Sequence, residues 1–145
     1  MPHAVAAIRF LALTGWRSGE ALALRWRDVD LARRSARLSD TKTGASTRAL
    51  SRAACAVLEA QHKATGGEAE GLVFPPARGG EDATMTGFKR FMAKVVALAE
   101  LPPEITAHVL RHSFASVAAD LELSEITIGA LIGHKGGGVT RRYTH

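Results

Sequence analysis

The apolar pattern of this chain predicts an α+β fold, mainly helical, with one small three-stranded antiparallel sheet. Helical spacing of apolar residues recurs along most of the sequence. It is interrupted between Val29 and Ser51 by short runs punctuated with turn residues, which suit strands better than helices. The 145 residues, 46% of them hydrophobic, suffice for one domain with one core, so the expected unit is a single domain over residues 1–145.

Apolar residues run at helical spacing from Ala4 to Leu13 and from Ala21 to Trp26, with a break at Thr14-Gly15, giving helix, tight corner, helix. Next come VDL, SARLS, the polar DTKTGAS and TRALS, read as three short strands with Lys42 in the turn joining the last two. Helical spacing returns from Ala53 to His62, and GGEAEG at 66–71 reads as a surface loop. LVF at 72–74 stops against Pro75-Pro76. Thr84 is the expected cap of a helix reaching Glu100, closed by Pro102-Pro103, and a further helix spans about Thr106 to Leu121. Ser124 caps SEITIGALIGH, whose Ile126, Ile128, Leu131 and Ile132 are expected to form a packing stripe.

Charge and cysteine content narrow the function classes. Nineteen Lys and Arg against fourteen Asp and Glu give a net charge of +5, as an electrostatic footprint on nucleic acid would. The lone Cys55 excludes a disulfide framework and a multi-cysteine zinc site, reads as a small packing residue, and makes a reducing cytoplasm the default location. The opening MPHAVAAIRFLAL is too short and interrupted to span a membrane and lacks the order of a signal peptide. The expectation is an intracellular chain, complete in itself.

Three segments carry the chemistry. Arg17 follows the Thr14-Gly15 corner, where Ser18 can cap the next helix and Glu20, three residues on, can hold the guanidinium in a fixed pose. HVLRH puts His108, Arg111 and His112 at i, i+3 and i+4, neighbours on one helical face. The zinc-protease reading of two histidines at that spacing fails, because Val109 stands where the catalytic glutamate would be. Two histidines and an arginine suit an anionic oxygen better than a cation. His134 ends an apolar helix, and Tyr143, the only tyrosine, follows nine positions later. A phenol has a pKa near about 10 and needs cationic neighbours to act as a nucleophile. Arginines, histidines and a phenol around one phosphate point to cutting and rejoining DNA. Each group also has a plain structural reading: an Arg–Glu helix start, a solvated turn lysine, a cationic helix end.

Five boxes in order resemble the catalytic domain of the tyrosine recombinases, the phage integrase and Xer-like site-specific enzymes. They are TGWRSGEALALRW, TKTG, HVLRHSFAS, LIGH and RRYTH. The resemblance implies that Tyr143 attacks a DNA phosphate and forms a 3′-phosphotyrosyl link, while Arg17 and Arg111 hold the nonbridging oxygens. It further implies that Lys42 protonates the leaving 5′-oxygen, His108 assists proton transfer, His134 bonds the phosphate and Glu20 supports Arg17. No cofactor and no metal are expected, since fixed guanidinium charge can take the part of metal ions in phosphoryl transfer. The expected partner is double-stranded DNA, with possible self-association on it. Against the family pattern, the chain is expected to be short at both ends, without an amino-terminal DNA-clamping domain, and to carry glycines at 136–138 where relatives have Ser and Thr. The alternatives are a type IB topoisomerase-like activity, separable by a relaxation assay, and an integrase remnant that only binds DNA.

Overall fold

The computed structural model describes residues 2–38, 44–79 and 83–134. Helix α1 (Pro2–Thr14) turns through Trp16 into the short α2 (Ser18–Leu22). The corner depends on Gly15, whose φ is +68°. A Cβ there would lie 2.6 Å from the Phe114 ring and 2.9 Å from Ile132, so the site needs glycine both for its backbone and for close packing.

The second helix stops at Leu22, earlier than the expected Trp26. The reason lies in the backbone: Val73 donates to the Leu24 carbonyl at 2.9 Å and Trp26 donates to Gly71 at 3.1 Å. Residues 24–26 thus pair with the LVF segment through an antiparallel bridge between Arg25 and Leu72, and helical spacing there is overridden by a tertiary partner. After a 3-10 turn at Trp26–Asp28 come β1 (Val29–Asp30), β2 (Ser35–Leu38) and β3 (Ser46–Ala49). They form one antiparallel sheet in the order β1-β2-β3, with Ala36 opposite Arg48.

Four helices follow: α3 (Arg52–Thr65), α4 (Phe88–Leu98), α5 (Ala107–Asp120) and α6 (Glu125–Ile132). Ser51, Thr106 and Ser124 cap α3, α5 and α6 by accepting backbone N–H groups, the last as the sequence predicts. The start of α4 differs. Gly87, in the left-handed conformation with φ 72°, is its cap, and Thr84 lies in irregular chain before it. Met85 is buried in the core, which holds this stretch uncoiled until Gly87 can turn it. At the other end Leu98, not Glu100, is the last helical residue. In α6, Ile128 and Ile132 are buried while Ile126 is 86% exposed. Positions two apart point to nearly opposite sides of a helix, so Ile126 falls out of the stripe.

The core centres on α1, which packs against α3, α4 and α5. Phe10 meets the Trp16 ring edge-on at 5.0 Å and stacks obliquely on Phe74 at 5.5 Å. A smaller cluster of Ala115, Ala118, Ile128 and Ile132 joins α5 to α6, and α6 also touches β3. This brings the end of α6 to the α1–α2 corner and the sheet.

Candidate active site

Arg111 is the anchor of the site and is 3% exposed. Its Nη1 donates to the carbonyls of Gly15 at 2.6 Å and Ile132 at 2.8 Å. One guanidinium thus joins the α1–α2 corner, α5 and the end of α6. Its Nη2 donates to Nε2 of His134 at 2.9 Å. Because a guanidinium only donates, that imidazole nitrogen must accept, and the ring proton resides on Nδ1. The electrostatics agree: burial first, then the charges of Arg111, Arg17 and Arg48, hold the His134 imidazole below its usual pKa despite an opposing pull from Glu20. His134 is therefore a neutral ring with an N–H to offer.

Arg17 takes the cap position of α2 in extended conformation, and Ser18, the expected cap, is the first helical residue. The Arg17 backbone N–H donates to Oε1 of Glu20 at 2.9 Å, which fixes the start of the helix. The guanidinium itself stays half exposed, with Nη1 3.7 Å from Oε2 of Glu20. Glu20 is bound more tightly by a residue that the sequence reading assigned no role. Arg48 forks onto it, Nη1 to Oε1 at 3.0 Å and Nη2 to Oε2 at 2.7 Å. Burial pushes the Glu20 carboxyl up, but the hydrogen bonds from Arg48 and the Arg17 backbone, with both positive charges, outweigh it and hold the group below its ordinary pKa.

Arg48 is 1% exposed, lies over the Trp16 ring at 5.0 Å, and crowds Gly133, where a Cβ would be 2.0 Å from its Nη2. One signal for it was present. In TRALS, strand alternation gives Arg48 the same face as Leu50, and the small Ala36 opposite leaves room for a long side chain.

His108, one turn before Arg111 on α5, is exposed and lines a cavity of about 390 Å³ together with Ser18, Phe88, Met92, Ile105 and Thr106. The cavity brings His108 to the side of the domain that carries the start of α2. His112 is exposed. Arg111 and His134 are thus in contact, Arg17 and Glu20 adjoin them, and His108 borders the neighbouring cavity. Lys42 and Tyr143 lie outside the described residues, as does the glycine run at 136–138. Among the described residues no group of three His, Cys, Asp or Glu side chains gathers as metal ligands. No helix among them is long and apolar enough to cross a membrane.

Comparison with known proteins now decides the family: the phage integrase family profile matches residues 3–145. The chain belongs to the phage integrase family. Among its relatives, tyrosine recombinase XerC of Xanthomonas campestris pv. campestris (strain B100) is 32% identical over 137 residues, covering 91% of this chain and 41% of the relative. Tyrosine recombinase XerA of Saccharolobus solfataricus (strain ATCC 35092 / DSM 1617 / JCM 11322 / P2) is 30% identical over 138 residues, covering 95% and 44%. The chain therefore spans less than half the length of these curated relatives. The family fold is equally plain. A crystal structure of XerA recombinase superposes with a TM-score of 0.81 at 23% identity, over 99% of this chain and 52% of that one. A lambda integrase (75–356) dimer bound to a COC′ core site gives 0.76 at 20% identity, over 99% and 52%.

Proposed function

We propose that this chain is the catalytic domain of a site-specific DNA recombinase, which cuts and rejoins duplex DNA through a covalent tyrosine intermediate. One observation carries the reading: buried Arg111 and neutral His134 are in contact beside the Arg17–Glu20 unit. In this reading the Tyr143 oxygen attacks a backbone phosphorus, a phosphorus–tyrosine bond forms, and the bond to the 5′-oxygen breaks. Lys42 delivers the proton that the leaving 5′-oxygen needs, and His108 assists proton transfer at the tyrosine or phosphate. Arg17 and Arg111 neutralise the charge on the nonbridging oxygens, and His134 donates its Nδ1 proton to the phosphate. Attack by a 5′-hydroxyl on the phosphotyrosine reverses every step and reseals a strand.

The partner is double-stranded DNA, and copies of the chain assemble on it, a reading supported by the lambda integrase dimer bound to its core site. The test is covalent trapping. Incubation with a pool of nicked suicide duplexes is expected to give a protein–DNA adduct, and Tyr143→Phe to lose that adduct while still retarding DNA. A full-strength adduct from the phenylalanine variant overturns the assignment.

A further inference from the structure

From the sharing of one carboxylate between two arginines, we infer that Arg48 is a positioning residue that keeps Arg17 available to a phosphate by occupying Glu20. The Oε1 atom of Glu20 accepts from the Arg17 backbone at 2.9 Å and from Arg48 Nη1 at 3.0 Å, and Oε2 accepts from Arg48 Nη2 at 2.7 Å. The Arg17 guanidinium, at 3.7 Å, is beyond hydrogen-bonding range of that carboxylate, and its side chain is 50% exposed. The carboxylate of Glu20 is therefore taken by Arg48, and the half-exposed Arg17 guanidinium makes no hydrogen bond to it.

Without Arg48, Arg17 is the cation left beside Glu20 among the described residues. A rotation that closes less than about 1 Å would then form a charge-assisted pair. That pair would cancel the Arg17 charge and turn its donors toward the protein.

The setting of Arg48 suits this task better than one of stability. It is clamped between the Trp16 ring and Gly133, so it cannot leave the carboxylate for water. Its buried Nε has no hydrogen-bond partner among the described residues. A buried ion pair is commonly no more stable than an apolar pair of similar volume. What an apolar residue could not do is hold the Glu20 carboxylate away from its neighbour three positions back.

The inference rests on Arg17 being a phosphate ligand, so its test reads phosphate binding and not DNA cleavage. The Arg17 Nε–H NMR signal, assigned with Arg17→Lys, is followed while the full chain is titrated with inorganic phosphate. Arg48→Gln is expected to bind phosphate about tenfold more weakly at Arg17, and Arg48→Gln combined with Glu20→Gln to recover to within about threefold of the starting protein. Recovery is the decisive readout, because a merely structural Arg48 would leave the double variant at least as impaired as the single one. Equal affinities for the starting protein and Arg48→Gln, or a double variant as weak as the single, overturn the inference.

Should Arg48→Gln fail to fold by circular dichroism, Arg48→Lys carries the test. A lysine cannot fork, leaves one carboxylate oxygen to Arg17, and is expected to weaken phosphate binding to an intermediate degree; an unchanged affinity overturns the inference. Failure of the covalent-trapping experiment, with these phosphate results intact, strikes the recombinase reading alone.

Discussion

Arg111 and Arg48 are both almost fully buried, at 3% and 1% exposure, yet they are held in different ways. Arg111 is gripped by the carbonyls of Gly15 and Ile132 and by a neutral imidazole. Arg48 is gripped by a formal negative charge, the carboxylate of Glu20. The difference teaches what each anchor is for. A guanidinium held by dipoles keeps most of its field and can stabilise an incoming anion. One held by a carboxylate is electrostatically quiet and serves as a fixed point for its partner. The site thus separates its attracting charge from its bracing charge.

The sharpest way to break this comparison is to remove the carboxylate. Glu20→Ala leaves Arg48 buried without its counter-charge and is expected to cost about 3 kcal/mol in urea unfolding, whereas Arg48→Met, which leaves Glu20 near Arg17 and partly in water, should cost about 1 kcal/mol or less. Equal losses would mean that the pair is an ordinary ion pair. A smaller effect tests the clamp on Arg48. Gly133 has φ +86°, and any Cβ there meets the guanidinium, so Gly133→Ala is expected to lose about 2 kcal/mol in the same assay. If the loss is carried through Arg48, it should shrink in the Arg48→Met background.

The smallest expected effect is with pH. The His134 pKa is lower in the folded protein than its ordinary 6.5, so below that pH the unfolded chain takes up the proton more readily and stability falls. Glu20 acts in the same direction further down: its contribution is complete above its ordinary 4.5 and is lost as pH falls through its depressed folded value. The denaturation midpoint should therefore decline as pH drops below 6.5, and His134→Gln should flatten the upper part of that decline. A midpoint that rises on acidification would contradict the neutral, proton-donating His134.

Much of this arrangement was legible in the sequence, and the misses have physical causes. Arg17, Glu20, His108, Arg111 and His134 stand in short boxes whose local spacing already signals helix ends and shared faces. The three strands and the cap Ser124 follow from short turn-punctuated runs and from a side-chain acceptor ahead of an apolar run. The early end of α2 was hidden because its cause, pairing with Leu72 and Val73, lies nearly fifty residues away. Thr84 misled because a capping residue is only a local preference, whereas the burial of Met85 is a tertiary one. Arg48 escaped notice because an arginine in a strand is ordinarily solvent-facing, and only its parity with Leu50 marked it as inward.

The bonds from Arg111 to Gly15 and Ile132 join residues 96 and 21 positions apart in the chain. Such closures come at a loss of chain entropy that local helix contacts do not incur, and they form once the elements they join have docked. During synthesis Gly15 is made long before Arg111, so the cluster of charges around His134 cannot exist on a partial chain. The contact of Arg111 with Gly15, Ile132 and His134 therefore arrives with the docking of α5 and α6, and a half-made chain holds no assembled cluster of these groups.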